Sequence, residues 1–220
     1  MNICTRQTAF IGPKNQKRLQ EATVAIIGVG ALGSASAHLL MRMGIGKLIL
    51  CDDDVVADHN LGRQHLYTKA DIGEKKVIAL SRRLKEIQEE TKIISCDQHI
   101  DEQTISCCDD ADIIIDGTDN HATRRIIDAY AKKRMISWVH GAAIEDKGTV
   151  VFFPSKRSYD SVYEGKEKDQ HCSISGVLIT TTTAVATLQT HLVLLALLGE
   201  PIPEVMFRLN GLQWSEISLE

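Results

Sequence analysis

Four runs in the first half of the chain, ATVAII (22–27), KLILC (47–51), KIISC (92–96) and DIIID (112–116), are short, apolar and rich in β-branched residues. Longer amphipathic stretches separate them, and their spacing predicts helices over about 31–43, 74–89 and 121–133, with a short one near 101–108. A further strand is expected at 136–139. Strands without polar alternation are buried on both faces, which parallel strands with helical crossovers achieve. Such alternation predicts an α/β chain with a mostly parallel sheet covered on both sides.

The link between the first strand and its helix is Gly28-Val29-Gly30-Ala31-Leu32-Gly33, a G-x-G-x-x-G turn. Its glycines permit a tight turn (Gly28), close approach of a phosphate (Gly30) and packing of helix on strand (Gly33). The free N–H groups of the helix that follows favour an anion. Asp52 closes the second strand, where a carboxylate accepts bonds from ribose hydroxyls. The fold class expected is therefore a Rossmann-like, doubly wound sheet. After Gly141, GTVVFF and the pair EVMFRL and LQWSEISL add strands, read as a C-terminal antiparallel extension. The 220 residues can bury one core, so a single domain over 1–220 is expected. Its nucleotide-binding part would be 1–140; the substrate-side part, 141–220, holds a polar loop at 154–171 and a long apolar helix at 176–198. A loop of that length and polarity is either mobile or functional.

A dinucleotide-binding oxidoreductase using NAD would account for the turn and Asp52, and it is the alternative reading. Asn60, Arg63 and Lys76, which follow in short order, suit a more highly charged ligand. A nucleoside triphosphate needs fixed cations and usually Mg²⁺. Further on, IIIDGTDN places Asp116, Asp119 and Asn120 at the C-terminal end of a strand, the edge where open α/β sheets bind ligands. A carboxylate there can hold Mg²⁺; the same TDN can also cap the next helix through Asp119 or Asn120.

Other features narrow the class. A formal net charge of −4 leaves no basic footprint, so no nucleic-acid partner is expected. The run GVLITTTTAVATLQTHLVLLALLG is long enough for a membrane span, but Gln189, His191 and its threonines favour a buried helix, so no membrane association is expected. MNICTRQTAF lacks the apolar core of a secretory signal. With six cysteines and no C-x-x-C pair, reduced thiols in the cytoplasm are the expectation, and no zinc site can be read from spacing. Cys51, Cys96 and Cys107 end or follow apolar runs, where cysteine acts as a small hydrophobe.

Together, TRQ, GVGALG, D-x-D-x-V-x₃-N-L-x-R-Q over 52–64, DIGEKK, GTDNHATR and C-x₃-GVL leading to TLQ span nearly the whole chain. In these motifs the sequence resembles the ThiF/MoeB/HesA adenylyltransferases, relatives of the ubiquitin-activating E1 enzymes. The resemblance implies MgATP binding and attack of a substrate carboxylate on the α-phosphate, giving an acyl-adenylate and pyrophosphate. It implies that Asp52 holds the ribose, and that Asn60, Arg63 and Lys76 hold the phosphates. Gly28, Gly30, Gly33, Asp54, Gln64 and Asn120 complete the ATP-binding set, and Asp119 would be the magnesium ligand and the residue most damaging to lose. Arg6, in TRQ, would reach the partner subunit's site, which implies a homodimer. Arg124 matches a family position as well, although a helix-surface salt bridge explains it about as well. A carboxylate is a competent nucleophile at neutral pH and needs no general base.

Three departures bear on the substrate. Members serving sulfur carriers typically hold structural zinc with two C-x-x-C pairs, which are missing, so zinc is not expected. His59 stands for a usual serine and Thr180 for a usual proline. Cys172 matches the cysteine that some sulfur-transferring relatives use for a persulfide-linked adduct, and it is a candidate catalytic residue; a bystander thiol is the alternative. The carboxylate is expected to be either the C-terminal Gly-Gly of a small ubiquitin-like sulfur carrier or a small molecule in cofactor biosynthesis, such as the pyridinol precursor of the [Fe]-hydrogenase cofactor. A tRNA-modifying enzyme is a weaker third reading, and a degenerate E1-like scaffold is the non-enzymatic one.

Overall fold

The computed structural model describes residues 3–163, 176–211 and 213–219. Its sheet is built outward from β1 (Thr23–Ile27), all five residues of which are buried. Val24 and Ile26 face one apolar cluster and Ala25 and Ile27 the other, so the strand is covered on both sides. β2 (Lys47–Cys51) and β3 (Lys92–Cys96) lie to one side of it. β4 (Ile113–Asp116) and β5 (Ser137–Ile144) lie to the other. These five run parallel in the order β3-β2-β1-β4-β5. The chain then reverses through a tight turn at Glu145, whose φ is 54°, into β6 (Lys147–Phe153). β7 (Val205–Asn210) and β8 (Gln213–Ser218) continue the sheet antiparallel. The expected doubly wound sheet and its antiparallel extension are both present.

Helices α3 (Ala31–Met43) and α4 (Lys76–Lys85) cover one face. On the other lie α5 (His121–Arg134), a 3-10 turn at Thr104–Cys108 and the short α6 (Tyr159–Tyr163). The first two helices, α1 (Thr5–Ile11) and α2 (Pro13–Glu21), had no clear sequence signal. Gly12 at φ 83° punctuates them, and Gln7, Thr8 and Gln16 hold them to each other and to the end of α3. Those polar contacts are tertiary and leave no apolar period to read.

The long apolar helix is α7 (Ile179–Leu198). It is long and apolar enough to cross a membrane, yet one side packs on α3, β5 and β6. Buried Gln189 donates to the carbonyls of Asp116 (2.8 Å) and Val139 (3.3 Å), a contact that needs strands, not lipid, alongside. The polar loop expected over 154–171 carries α6 within its first part, anchored by fully buried Tyr159. A short aromatic pair in a polar segment gives no helical period, which is why sequence reading missed it. Residues 164–171 of that loop, and Cys172 after it, lie outside the described residues.

Candidate active site

At the C-terminal edge of the parallel strands opens a cleft of about 870 Å³. The glycine turn forms its floor. Gly28 has φ 81°, and Gly33 brings α3 so close that a Cβ there would stand 1.9 Å from the Gly28 carbonyl oxygen. Tyr67, fully in the core, donates its hydroxyl to the Val29 carbonyl at 2.7 Å and fixes the turn from behind. The Asp52 carboxylate accepts N–H bonds from Val29 (2.8 Å) and Asp54 (2.9 Å). Burial pushes its pKa above the ordinary value, against the opposing charge of Lys76 and these two amides. A carboxylate short of solvation welcomes further donors, which ribose hydroxyls supply.

The segment from 53 to 76 folds over the cleft rim. Lys76 begins α4, is buried, and holds its Nζ 2.7 Å from the Asp54 carboxylate. Arg63 lines the cleft and donates to the His59 carbonyl at 2.9 Å, leaving most of its guanidinium N–H groups for a ligand. Buried Asn60 accepts the Ala57 N–H through its side-chain oxygen, so it shapes the rim, and its amide NH₂ is the group left to meet a phosphate. Gln64 is buried beside Gly30 with its Oε1 unpaired among the described residues. Asp71 anchors this segment: it is fully buried and bonded to Thr68, Arg82 and Arg83.

The acids of IIIDGTDN divide the work. Asp116 is fully buried and accepts from Thr118 N–H (2.9 Å) and hydroxyl (2.6 Å), with Arg124 Nε at 3.2 Å and His140 Nδ1 at 2.7 Å. Burial alone would raise its pKa, but Arg124 and the His140 bond hold it below the ordinary carboxylate range. Burial lowers that of His140, so the imidazole is neutral and donates to an ionised Asp116. Arg124 also donates to the Thr118 carbonyl at 2.7 Å. It is buried in this network, which corrects the alternative of a helix-surface salt bridge. Asn120 is the N-cap of α5, accepting the Thr123 N–H at 2.8 Å, so its carbonyl is already engaged. Asp119 is exposed, lines the cleft, and its carboxylate bonds to no described residue. The turn is thus clamped from beneath, and its one carboxylate facing the cleft without a described partner is Asp119.

From the second half of the chain the cleft is lined by Ala142, Ala143, Gly176, Val177 and Thr182. Val177 bridges to Glu145, which returns the chain to the β5–β6 turn beside the cleft. The structure therefore brings Gly28, Gly30, Asp52, Asp54, Asn60, Arg63, Gln64, Lys76, Asp119 and Asn120 to one cavity, with Gly33 directly beneath the turn. Arg6 is exposed on α1 and does not line the cleft of its own chain. Sequence reading missed Tyr67, Thr118 and Gln189 as positioning residues. Gln189 lies within the TLQ motif, whose polar residue in an apolar helix was the available signal.

A doubly wound sheet with a glycine turn, an acid at the end of the second strand, cleft cations and an accessible strand-end carboxylate defines a nucleotide-binding α/β protein. Residues 4–219 match the ThiF family, and the chain belongs to it. It is 40% identical over 149 residues to the sulfur carrier protein ThiS adenylyltransferase of Bacillus subtilis, covering 66% of this chain and 44% of that protein. The protein of the same description from Escherichia coli is 28% identical over 212 residues, covering 93% of this chain and 84% of its own. The fold is also that of E. coli MccB, crystallised with MccA-N7isoASN: TM-score 0.86, 20% identity, 100% of this chain and 72% of that one. Against the B. subtilis protein and a probable molybdopterin-synthase adenylyltransferase of Porphyra purpurea, the chain spans about half the length of its relative. Membership in this family leaves the oxidoreductase alternative without support.

Proposed function

We propose that the protein is an ATP-dependent adenylyltransferase that activates a carboxylate. The observation that carries this is the convergence of Asp52, Arg63, Lys76 and Asp119 from separate segments onto the cleft beside the glycine turn. The relatives' description as adenylyltransferases supports it.

A carboxylate oxygen attacks the α-phosphorus of ATP, the bond to the bridging oxygen breaks, and pyrophosphate leaves with that electron pair. The attacking group and the phosphates are both anionic, so approach is unfavourable until charge is neutralised. Lys76 and Arg63 supply fixed cations on the pyrophosphate side, Asp52 orients the ribose, and the glycine turn admits phosphate near the N–H groups of α3. The carboxylate of Asp119, at the strand edge and without a partner among the described residues, fits a hard cation. Mg²⁺ held there would neutralise phosphate charge and stabilise the leaving group.

The substrate reading with most support is the C-terminal carboxylate of a small sulfur carrier protein, the class named for the relatives above. A small-molecule carboxylate is the second reading, favoured by the lack of C-x-x-C pairs in the sequence. We further place the protein in the cytoplasm as a homodimer, with Arg6 serving the partner's cleft; its exposure on α1 away from its own cleft supports that.

The test is ATP–pyrophosphate exchange with Mg²⁺, run against Gly-Gly-terminated carriers and a panel of aromatic and heterocyclic carboxylates. Exchange that depends on one of these and falls to background in Asp119→Ala is expected. Exchange undiminished in a folded Asp119→Ala protein would remove the metal assignment, and none with any carboxylate would remove adenylation.

A further inference from the structure

Four of the six cysteines meet beneath the nucleotide side of the cleft. They arrive from three segments. Cys51 ends β2, Cys96 ends β3 directly opposite it in register, and Cys107 and Cys108 lie in the 3-10 turn that leads to β4. The Cys51 sulfur is 3.4 Å from that of Cys107 and 3.9 Å from that of Cys108, and the Cys107 and Cys108 sulfurs are 3.8 Å apart. The Cys96 sulfur lies within 4.8 Å of those of Cys51 and Cys107, so these three are mutually close, while Cys108 adjoins only Cys51 and Cys107.

These separations discriminate between chemistries. A disulfide brings its sulfurs to about 2.05 Å. Four sulfurs around a tetrahedral zinc ion at about 2.3 Å stand about 3.8 Å from one another. Cysteines acting only as small hydrophobes have no reason to turn three sulfurs toward one point. We propose that Cys51, Cys96 and Cys107 form a binding site for a single Zn²⁺ ion, with Cys108 beside it.

Each side of the arrangement suits that ion. Three soft thiolates select zinc over Mg²⁺, so the site does not compete for the hard cation at Asp119. Binding releases the thiol protons to solvent and changes no oxidation state. Cys96 and Cys107 are partly exposed, which gives an ion a way in, whereas Cys51 and Cys108 are buried. Gln98 donates to the Thr104 carbonyl at 3.1 Å and so holds the start of the 3-10 turn that carries Cys107.

The expectation of no zinc rested on the lack of C-x-x-C pairs, a criterion that sees only ligands close in sequence. Here the sheet register supplies the proximity. The ion would tie the ends of β2 and β3 to the 3-10 turn. Gly28 N–H donates to the Cys51 carbonyl (2.8 Å) and Asp52 N–H to that of Cys96 (3.3 Å). The site therefore braces the backbone that carries the glycine turn and the ribose acid.

The test uses the full chain, purified reduced, with zinc measured by mass spectrometry and the metal-free protein titrated with Co²⁺. A single ion per chain is expected, with the sulfur-to-cobalt charge-transfer absorption and visible bands of tetrahedral cobalt. Cys96→Ser and Cys107→Ser, at the partly exposed positions, should lose that spectrum, while Cys4→Ser and Cys172→Ser keep it. The spectrum of the unaltered chain stands even if a variant misfolds. No uptake of zinc or cobalt by the unaltered chain overturns the proposal. So does a cobalt spectrum without sulfur charge transfer, or one that survives in both folded Cys96 and Cys107 variants.

Discussion

Lys76 and Asp54 are paired at 2.7 Å across the cleft rim, although the lysine side chain is 7% exposed and the aspartate 71%. The pairing is lopsided by design of the backbone: Lys76 N–H donates to the Asp54 carbonyl at 3.0 Å, which puts the start of α4 directly under the acid. A buried ammonium must keep a partner. An exposed carboxylate gives up little when released to water. The pair can therefore exchange the carboxylate for a phosphate oxygen at small cost.

Lys76→Met tests this. The volume is nearly conserved, so stability should change by less than about 1.5 kcal/mol. Loss of a fixed cation from the leaving-group side should lower the ATP–pyrophosphate exchange rate by about 10²–10³. Urea unfolding and exchange measured on the same preparation separate the two. Near-normal exchange would mean that Lys76 serves only to tether the rim.

The Asp116–His140–Arg124 network carries a pH signature. The histidine's pKa falls below its ordinary 6.5 on folding, so its stabilising contribution is complete above that value and is lost as pH falls from it toward the folded pKa. Asp116 is also depressed, below 3.8, so its own contribution is lost only at more acidic pH, below that value. Both losses lie on the acid side, and the histidine's comes first. The urea midpoint should drop between pH 7.5 and 5.5, and His140→Asn should flatten that drop while keeping a donor toward Asp116. A midpoint equally pH-dependent in the variant would assign the slope to other groups.

Gly33→Ala should damage the turn out of proportion to one methyl group. The added Cβ would stand 1.9 Å from the Gly28 carbonyl oxygen, a backbone atom with no rotamer to escape into. Relieving the clash moves either α3 or the turn, at a cost of about 1–3 kcal/mol. Gly62→Ala is the control, since a Cβ there meets open space. Thermal midpoints of the two variants should differ by several degrees, and ATP binding should weaken in Gly33→Ala. Equal midpoints would show that the helix slides without penalty.

What the sequence made legible follows from where each signal resides. Parallel strands are apolar throughout and announce themselves, and the glycine turn and its acid are local motifs with fixed spacing. The polar site residues from Asp52 to Lys76 lie between the end of β2 and the start of α4, and Asp119 and Asn120 follow β4, so proximity could be inferred from topology. The split between Asp116 and Asp119 could not, because it depends on Arg124, His140 and Gln189 arriving from α5, β5 and α7. The cysteine cluster was hidden for the same reason, since register and not spacing assembles it. α1 and α2 were missed because polar tertiary bonds hold them.

Arg6 gives the last prediction. It is exposed, and it lies outside the cleft formed by its own chain. If it acts across a two-fold interface, Arg6→Ala and Asp119→Ala proteins are each inactive alone but complement when mixed after subunit exchange. In a mixed dimer the Arg6→Ala chain keeps its own Asp119 and receives Arg6 from its partner, so one of its two sites is complete. With equal amounts and random pairing, about a quarter of all sites should regain activity. An arginine acting within its own chain predicts no recovery, because no cleft then contains both residues. Light scattering on the separate and mixed proteins establishes that dimers form, so a missing recovery with dimers present would place Arg6 outside the catalytic machinery of the partner.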